Sequence, residues 1–236
     1  MIKDIKDILM KDVDHTYIPA SKYISKKGHN LPRVTSVINE MIHSDVLMYW
    51  ANSLGFKGTR YKDFMSEAAK AGTEAHHRIE LFLKDKLDST DNIPYLGFKE
   101  WYYNIMNGGH IFEVLGSEVE LTCEWYAGTC DAVVAIDGRN FLIDFKTSNH
   151  VTYKYFLQLA AYKNILETNG IKIDGVIVLQ LYKDEVGFNE YILDFNNLNH
   201  LAFINECTNT FFSLLYGYYN IHKIESLFRE IYGDNT

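Results

Sequence analysis

A chain of 236 residues with a formal net charge of −8 and ordinary apolar and charged fractions is long enough for one sizeable core and has the balance of a globular protein. No apolar run reaches membrane-spanning length, so no membrane partner is expected. The mixed-charge start MIKDIKDILMKDVD lacks a secretory core, and the expected compartment is the cytoplasm. Cys123, Cys130 and Cys207 have no knuckle spacing, which argues against a structural zinc or a four-cysteine iron–sulfur site.

The first thirty residues read as polar, with a basic cluster at Lys22, Lys26, Lys27 and His29 that suits a solvated loop. In LPRVTSVINEMI, Thr35 or Ser36 is placed to cap a helix through Val37, Met41 and Ile42, and a further helical stretch carries Leu47, Trp50 and Leu54. From Tyr61 to Lys86, Ala68, Ala69, Ala71, Ala75, Ile79 and Leu83 fall on one helical face, with Gly72 inside it at some cost to the helix. Lys57, Arg60 and Lys62, just ahead, are candidate contacts for backbone phosphates. Another helix is expected from Tyr95 to Met106, ended by Asn107-Gly108-Gly109.

The period then changes. Val114–Thr122, Thr129–Ile136 and Phe141–Phe145 read as strands, a helix follows from Tyr153 to Glu167, two more strands lie around Val176–Tyr182 and Glu190–Leu193, and a long helix begins after Asn197. In that last helix Phe203, Phe211, Phe212, Leu214, Leu215, Tyr218 and Tyr219 read as core. The order of elements is that of an α/β (α+β) fold, a mixed central sheet flanked by helices with an N-terminal helical region. Charge is divided unevenly: residues 1–86 hold 14 Lys and Arg against 11 Asp and Glu, a net of +3, while the remainder holds 9 against 20, a net of −11. The basic part suits phosphates and the acidic part suits cations.

Asp137-Gly138 is a two-residue hairpin signal between the second and third strands. With these two as the turn, Ile136 faces Arg139, and the same register sets Asp131 directly across from Asp144, with Cβ atoms roughly 5 Å apart. Two facing carboxylates repel; a divalent cation between them removes the objection. Lys146 lies two residues beyond Asp144 and so on the same face, while Phe141, Ile143 and Phe145 take the other as a packing surface. An ion to polarise a phosphate and a cation to steady developing charge are the parts that phosphodiester hydrolysis needs.

GTCDAVVAIDGRNFLIDFKTS followed by YFLQLAAY resembles the RecB-type branch of the PD-(D/E)XK nucleases, whose pattern is G-x-x-D, a turn, I-D-x-K-T and then Q-x-x-x-Y. The matching positions are Gly128, Asp131, Ile143, Asp144, Lys146, Thr147, Gln158 and Tyr162. Upstream, AGTEAHHRIE is similar to the branch's G-T-x-x-H helix through Gly72, Thr73 and His76, and LPRVTSVI to its P-S-V-T segment, with Arg33 in place of serine. The resemblance spans roughly residues 31–182; Cys130 stands where the superfamily name has proline, and no phosphate-binding helicase motif is present.

The resemblance implies a restriction-endonuclease-like sheet with an N-terminal helical cap, residues 1–110 forming the helical region and 111–236 the nuclease core of one continuous domain. It implies that His76, Asp131, Asp144, Glu118 and the backbone carbonyl of Phe145 bind Mg²⁺ or Mn²⁺, with Glu120 as the alternative to Glu118. Lys146 becomes the catalytic lysine, and Gln158 and Tyr162, one helical turn apart, help to position it or the phosphate. Glu80, four residues beyond His76, is expected to orient the imidazole. The implied partner is DNA, single-stranded or with free ends, and the implied activity is exonucleolytic, with replication or recombination proteins as further partners. A structure-selective endonuclease and a non-catalytic DNA-binding protein on the same fold are the competing readings.

Overall fold

The computed structural model describes residues 5–43, 56, 61–85 and 91–233, with Ile5, Asp7 and residues 61–69 described for the backbone alone. The helices are α1 (Ile5–Leu9), α2 (Val34–Met41), α3 (Tyr61–Leu83), α4 (Ile93–Asn107), α5 (Tyr153–Thr168) and α6 (Leu198–Tyr232). The strands are β1 (Phe112–Thr122), β2 (Ala127–Ile136), β3 (Arg139–Lys146), β4 (Gly175–Leu181) and β5 (Phe188–Asp194). They form one mixed sheet in the order β1-β2-β3-β4-β5, antiparallel throughout except for the central β3–β4 pair.

The parallel pair requires a crossover, and α5 supplies it. Because the pair is covered on both faces, β4 is apolar at nearly every position (GVIVLQL) and buried along its whole length. Alternation sorts the side chains into two layers. Leu142, Val176 and Val178 face α2, α5 and α6, together with Ile38, Leu159 and Phe211. Phe141, Ile143, Phe145, Ile177 and Leu179 face α3 and α4, together with Ile79, Phe98 and Trp101. The expected packing face of β3 is therefore in place, as is the Asp137-Gly138 turn, whose residues have φ of 51° and 74° and pair Ile136 with Arg139.

Several local expectations differ. α2 begins two or three residues earlier than a Thr35 or Ser36 cap requires: Arg33 is the N-cap, with no side-chain capping hydrogen bond, and Thr35 and Ser36 lie within the helix. The first thirty residues are not simply solvated: α1 is helical, and Met10, Ile18 and Tyr23 are buried, the first two against the α6 side of the core. Phe211, Phe212, Leu215, Tyr218 and Tyr219 are core, whereas Phe203 is exposed and Leu214 only partly buried. The stretch carrying Leu47, Trp50 and Leu54, and Lys57 and Arg60, lie outside the described residues, as does the side chain of Lys62.

One contact locks α4 to the turn between β4 and β5. A Cβ on Gly97 would sit 2.5 Å from the backbone oxygen of Gly187, which has no flexible end to move aside. Alanine in a helix interior ordinarily stabilises by about 1 kcal/mol over glycine. Here Gly97→Ala should instead destabilise by about 1–3 kcal/mol through overpacking. A thermal melt lowered by several degrees is the expected readout; a melt raised by the substitution would show that the two backbones separate freely.

Candidate active site

The β2–β3 ladder ends at Ala132↔Ile143, one pair short of Asp131 and Asp144. Beyond it the Asp131 side chain substitutes for a strand carbonyl: its Oδ2 accepts the Phe145 N–H at 2.7 Å. β1 is irregular opposite this point. Its register shifts between Val114 and Gly116, and Glu118, flanked by the pairs Ser117↔Ala132 and Val119↔Cys130, has a left-handed φ of 50°. For a residue with a Cβ that conformation is uncommon and strained. Continuing the two ladders places Glu118, Asp131 and Asp144 in one row across three strands.

α3 brings His76 to this row. Its Nε2–H donates to the Phe145 carbonyl at 2.9 Å, and Nδ1 lies 3.4 Å from Asp131 Oδ1 and 4.0 Å from Glu118 Oε1. His76, Glu118 and Asp131 each offer a ligand atom, all within 4.8 Å of one another. The Phe145 carbonyl thus holds the imidazole ring in place, and its second lone pair remains for another partner. Glu80 does not orient His76. It pairs with Lys84 at 2.5 Å and with His77 Nδ1 at 3.6 Å, because those two side chains share its side of the helix. Glu120 points elsewhere and pairs with Lys22 at 2.8 Å, both side chains being largely exposed.

From the other face, α5 closes round Asp144, which is 2 % exposed. Asp144 Oδ1 accepts from Lys146 Nζ at 2.8 Å and from Gln158 Nε2 at 2.9 Å, while Oδ2 is buried and has no hydrogen-bond partner among the described residues. The Lys146 ammonium also lies 4.9 Å from the centre of the Tyr155 ring, and the Tyr155 hydroxyl donates to Ser148 Oγ at 3.0 Å. Tyr155 was not among the expected site residues. Its signal was its spacing, since 155, 158 and 162 recur on one face of α5. Tyr162 is buried beneath the site, and it explains the glycine of G-x-x-D: a Cβ on Gly128 would lie 2.6 Å from the Tyr162 ring and hydroxyl.

Burial and charge oppose each other here. Burial alone would lower the His76 imidazole, but the neighbouring Asp131 carboxylate overrides it and holds the ring up at about 9. Burial raises Asp144 to about 6, with the Lys146 charge working against the rise. Asp131 resists burial through His76 and stays below the usual carboxylate range. Lys146, despite burial, is held above its usual range by Asp144 and Asp131. Glu118 is raised, first by burial and then by Asp131. Two features of the donor set fit a metal ion: the three clustered ligand atoms, and a buried carboxylate oxygen that has no hydrogen-bond partner among the described residues. A cleft of about 690 Å³ opens here, lined in part by His76, Glu118, Lys146, Thr147 and Lys183.

No protein-family model matches the chain, and no curated protein matches it. Among solved structures, that of SSO0001 is similar at 14% identity and a TM-score of 0.34, over 86% of this chain and 82% of that one. The structure of LHK-Exo in complex with dAMP is similar at 15% identity and a TM-score of 0.32, over 64% of this chain and 84% of that one. At that level of identity only the geometry of this site bears on its chemistry. Among the described residues, no helix is long and apolar enough to cross a membrane.

Proposed function

We propose that this chain is a divalent-metal-dependent deoxyribonuclease that hydrolyses phosphodiester bonds from DNA ends, single-stranded or frayed, in replication, recombination or repair. The observation that carries this reading is the environment of Asp144. One oxygen is shared by the Lys146 ammonium and the Gln158 amide, and the other is buried without a partner among the described residues, in the same cross-strand row as Asp131 and Glu118.

His76, Glu118, Asp131 and Asp144 would hold the ion, the Phe145 carbonyl being a further donor. Mg²⁺ or Mn²⁺ so held supplies a polarised phosphate and a water of lowered pKa. The chain's own residues do the rest. Gln158 fixes Asp144, so the carboxylate keeps one oxygen toward Lys146 and the other free. Lys146, braced by Asp144 and the Tyr155 ring, presents a positive charge to steady the phosphate oxygens as negative charge builds. Phe145 and Tyr162 exclude water from beneath the site. Donation from Nε2–H to Phe145 leaves Nδ1 of His76 as the ligating nitrogen once its proton is lost.

End-labelled linear and circular single-stranded DNA, each with Mg²⁺, Mn²⁺ or EDTA, test the reading directly. Metal-dependent shortening of the linear strand with the circle intact is expected, the label giving the polarity. Cutting of the circle would replace the exonuclease with an endonuclease. No cleavage of single strands, duplex ends or RNA in either metal would overturn the catalytic reading altogether.

A further inference from the structure

The long helix α6 has two apolar faces, and the body of the protein uses one of them. Ile204, Cys207, Phe211, Leu215 and Tyr218 recur every three to four residues and are buried against the core. That line continues through His222, whose ring lies against Tyr218. A second line begins where the first runs out. Ile221, Ile224, Phe228 and Ile231 follow a three–four–three spacing and are all exposed, Ile224 by 64 % and Ile231 by 70 %. At 3.6 residues per turn this line lies roughly 120° round the helix from the buried one. Leu227 and Tyr232 flank and widen it, and both are exposed.

The spacing is that of the a and d positions of a two-helix seam, which needs a second helix carrying the same pattern. With a whole aromatic side chain presenting 150–250 Å², the six partly exposed side chains leave uncovered roughly 600–700 Å². That lies at or just above the roughly 300–600 Å² of a monomer's largest apolar patch and approaches the roughly 800 Å² that each partner gives to a stable protein–protein contact. The charges beside the stripe are of both signs, Lys223 and Arg229 with Glu225 and Glu230, so the surface neither repels a copy of itself nor calls for a partner of one sign.

We infer that the last three turns of α6 form a self-association surface, on which a second copy of this chain pairs its own Ile221–Tyr232 segment to make a two-fold dimer. This inference is independent of the nuclease reading, because the stripe contains no residue of the site.

Sedimentation equilibrium of the whole chain across a wide micromolar range tests it, beside Ile224→Glu and the double variant Ile224→Glu, Phe228→Glu. The expected result is a monomer–dimer equilibrium in the wild type and a dissociation constant raised at least about 100-fold in the double variant. The helical circular-dichroism signal and melting temperature of the variants, taken at monomer concentrations, should match those of the wild type, since the replaced side chains are solvent-exposed in the monomer. Three results would overturn the inference: a monomeric wild type throughout the range, a dimer that survives both substitutions, or assembly without a defined stoichiometry.

Discussion

On the proposed function, Asp144→Ala should reduce metal-dependent cleavage by at least about a thousandfold, the largest effect expected of any single side chain here. The substitution deletes a ligand oxygen and at the same time releases the two groups that the other oxygen holds, Lys146 and Gln158. Asp144→Asn separates the two losses, because the amide keeps the shape and one acceptor but no charge. It should be nearly as inactive as the alanine variant while retaining the wild-type circular-dichroism spectrum. The two forms also differ in how stability depends on pH when EDTA is present. Burial raises the folded Asp144 to about 6 from an ordinary 3.8, so the fold favours the protonated carboxyl. Its contribution is full below the ordinary value and is lost as pH rises through about 6. The melting temperature of the asparagine variant relative to wild type should therefore improve between pH 4 and 7. A variant that keeps more than a tenth of wild-type cleavage in either metal would remove Asp144 from the chemistry.

His76→Ala should cost more with Mn²⁺ than with Mg²⁺. Magnesium prefers oxygen, which Glu118, Asp131 and Asp144 still offer, whereas imidazole suits manganese better. The wild type is expected to work with Mg²⁺ and equally well or better with Mn²⁺, and the variant to lose that preference, with Mn²⁺-dependent cleavage falling about 10–100-fold. A second signature follows from the proton. Asp131 holds the metal-free imidazole at about 9, so ligation through Nδ1 must displace a proton. Apparent Mn²⁺ affinity in the wild type should climb as pH rises from 7 toward 9, and that part of the climb should vanish in the variant. Titration of Mn²⁺ by calorimetry in two buffers of different ionisation enthalpy reads the released proton. Unchanged affinity and slope in His76→Ala would assign the histidine to packing against Phe145 alone.

Much of this architecture is legible in the residues because its signals are local. A period of two in FLIDFK predicts one apolar face and one that carries Asp144 and Lys146, and the sheet is built that way. Asp137-Gly138 fixes the register, and with it the row that joins Asp131 to Asp144. His76, Gln158 and Tyr162 are legible only through their motifs, since nothing within α3 or α5 says what either helix will meet. What stays hidden depends on tertiary placement. The left-handed turn of β1 at Glu118 breaks the alternation on which a strand reading relies, so only the assembled structure shows that Glu118 ends beside His76 and Glu120 on Lys22. Glu80 fits the spacing rule for His76 equally well, yet Lys84 and His77 claim it. Tyr155 and α1 were missed for a related reason: an aromatic above an ammonium, or a single turn of helix against a distant one, is a property of the assembled molecule.

The way the Asp131 carboxylate finishes the β2–β3 ladder decides which substitution can serve as the inactive control for the proposed cleavage. Asp131→Ala would leave the Phe145 N–H without its acceptor and loosen the backbone that carries both Asp144 and the His76 anchor. Loss of activity in that variant would confound a missing ligand with a frayed strand, and any complex made with it would form on a distorted surface. Asp144→Asn leaves the ladder closed, and it is the substitution from which a faithful substrate complex should be built.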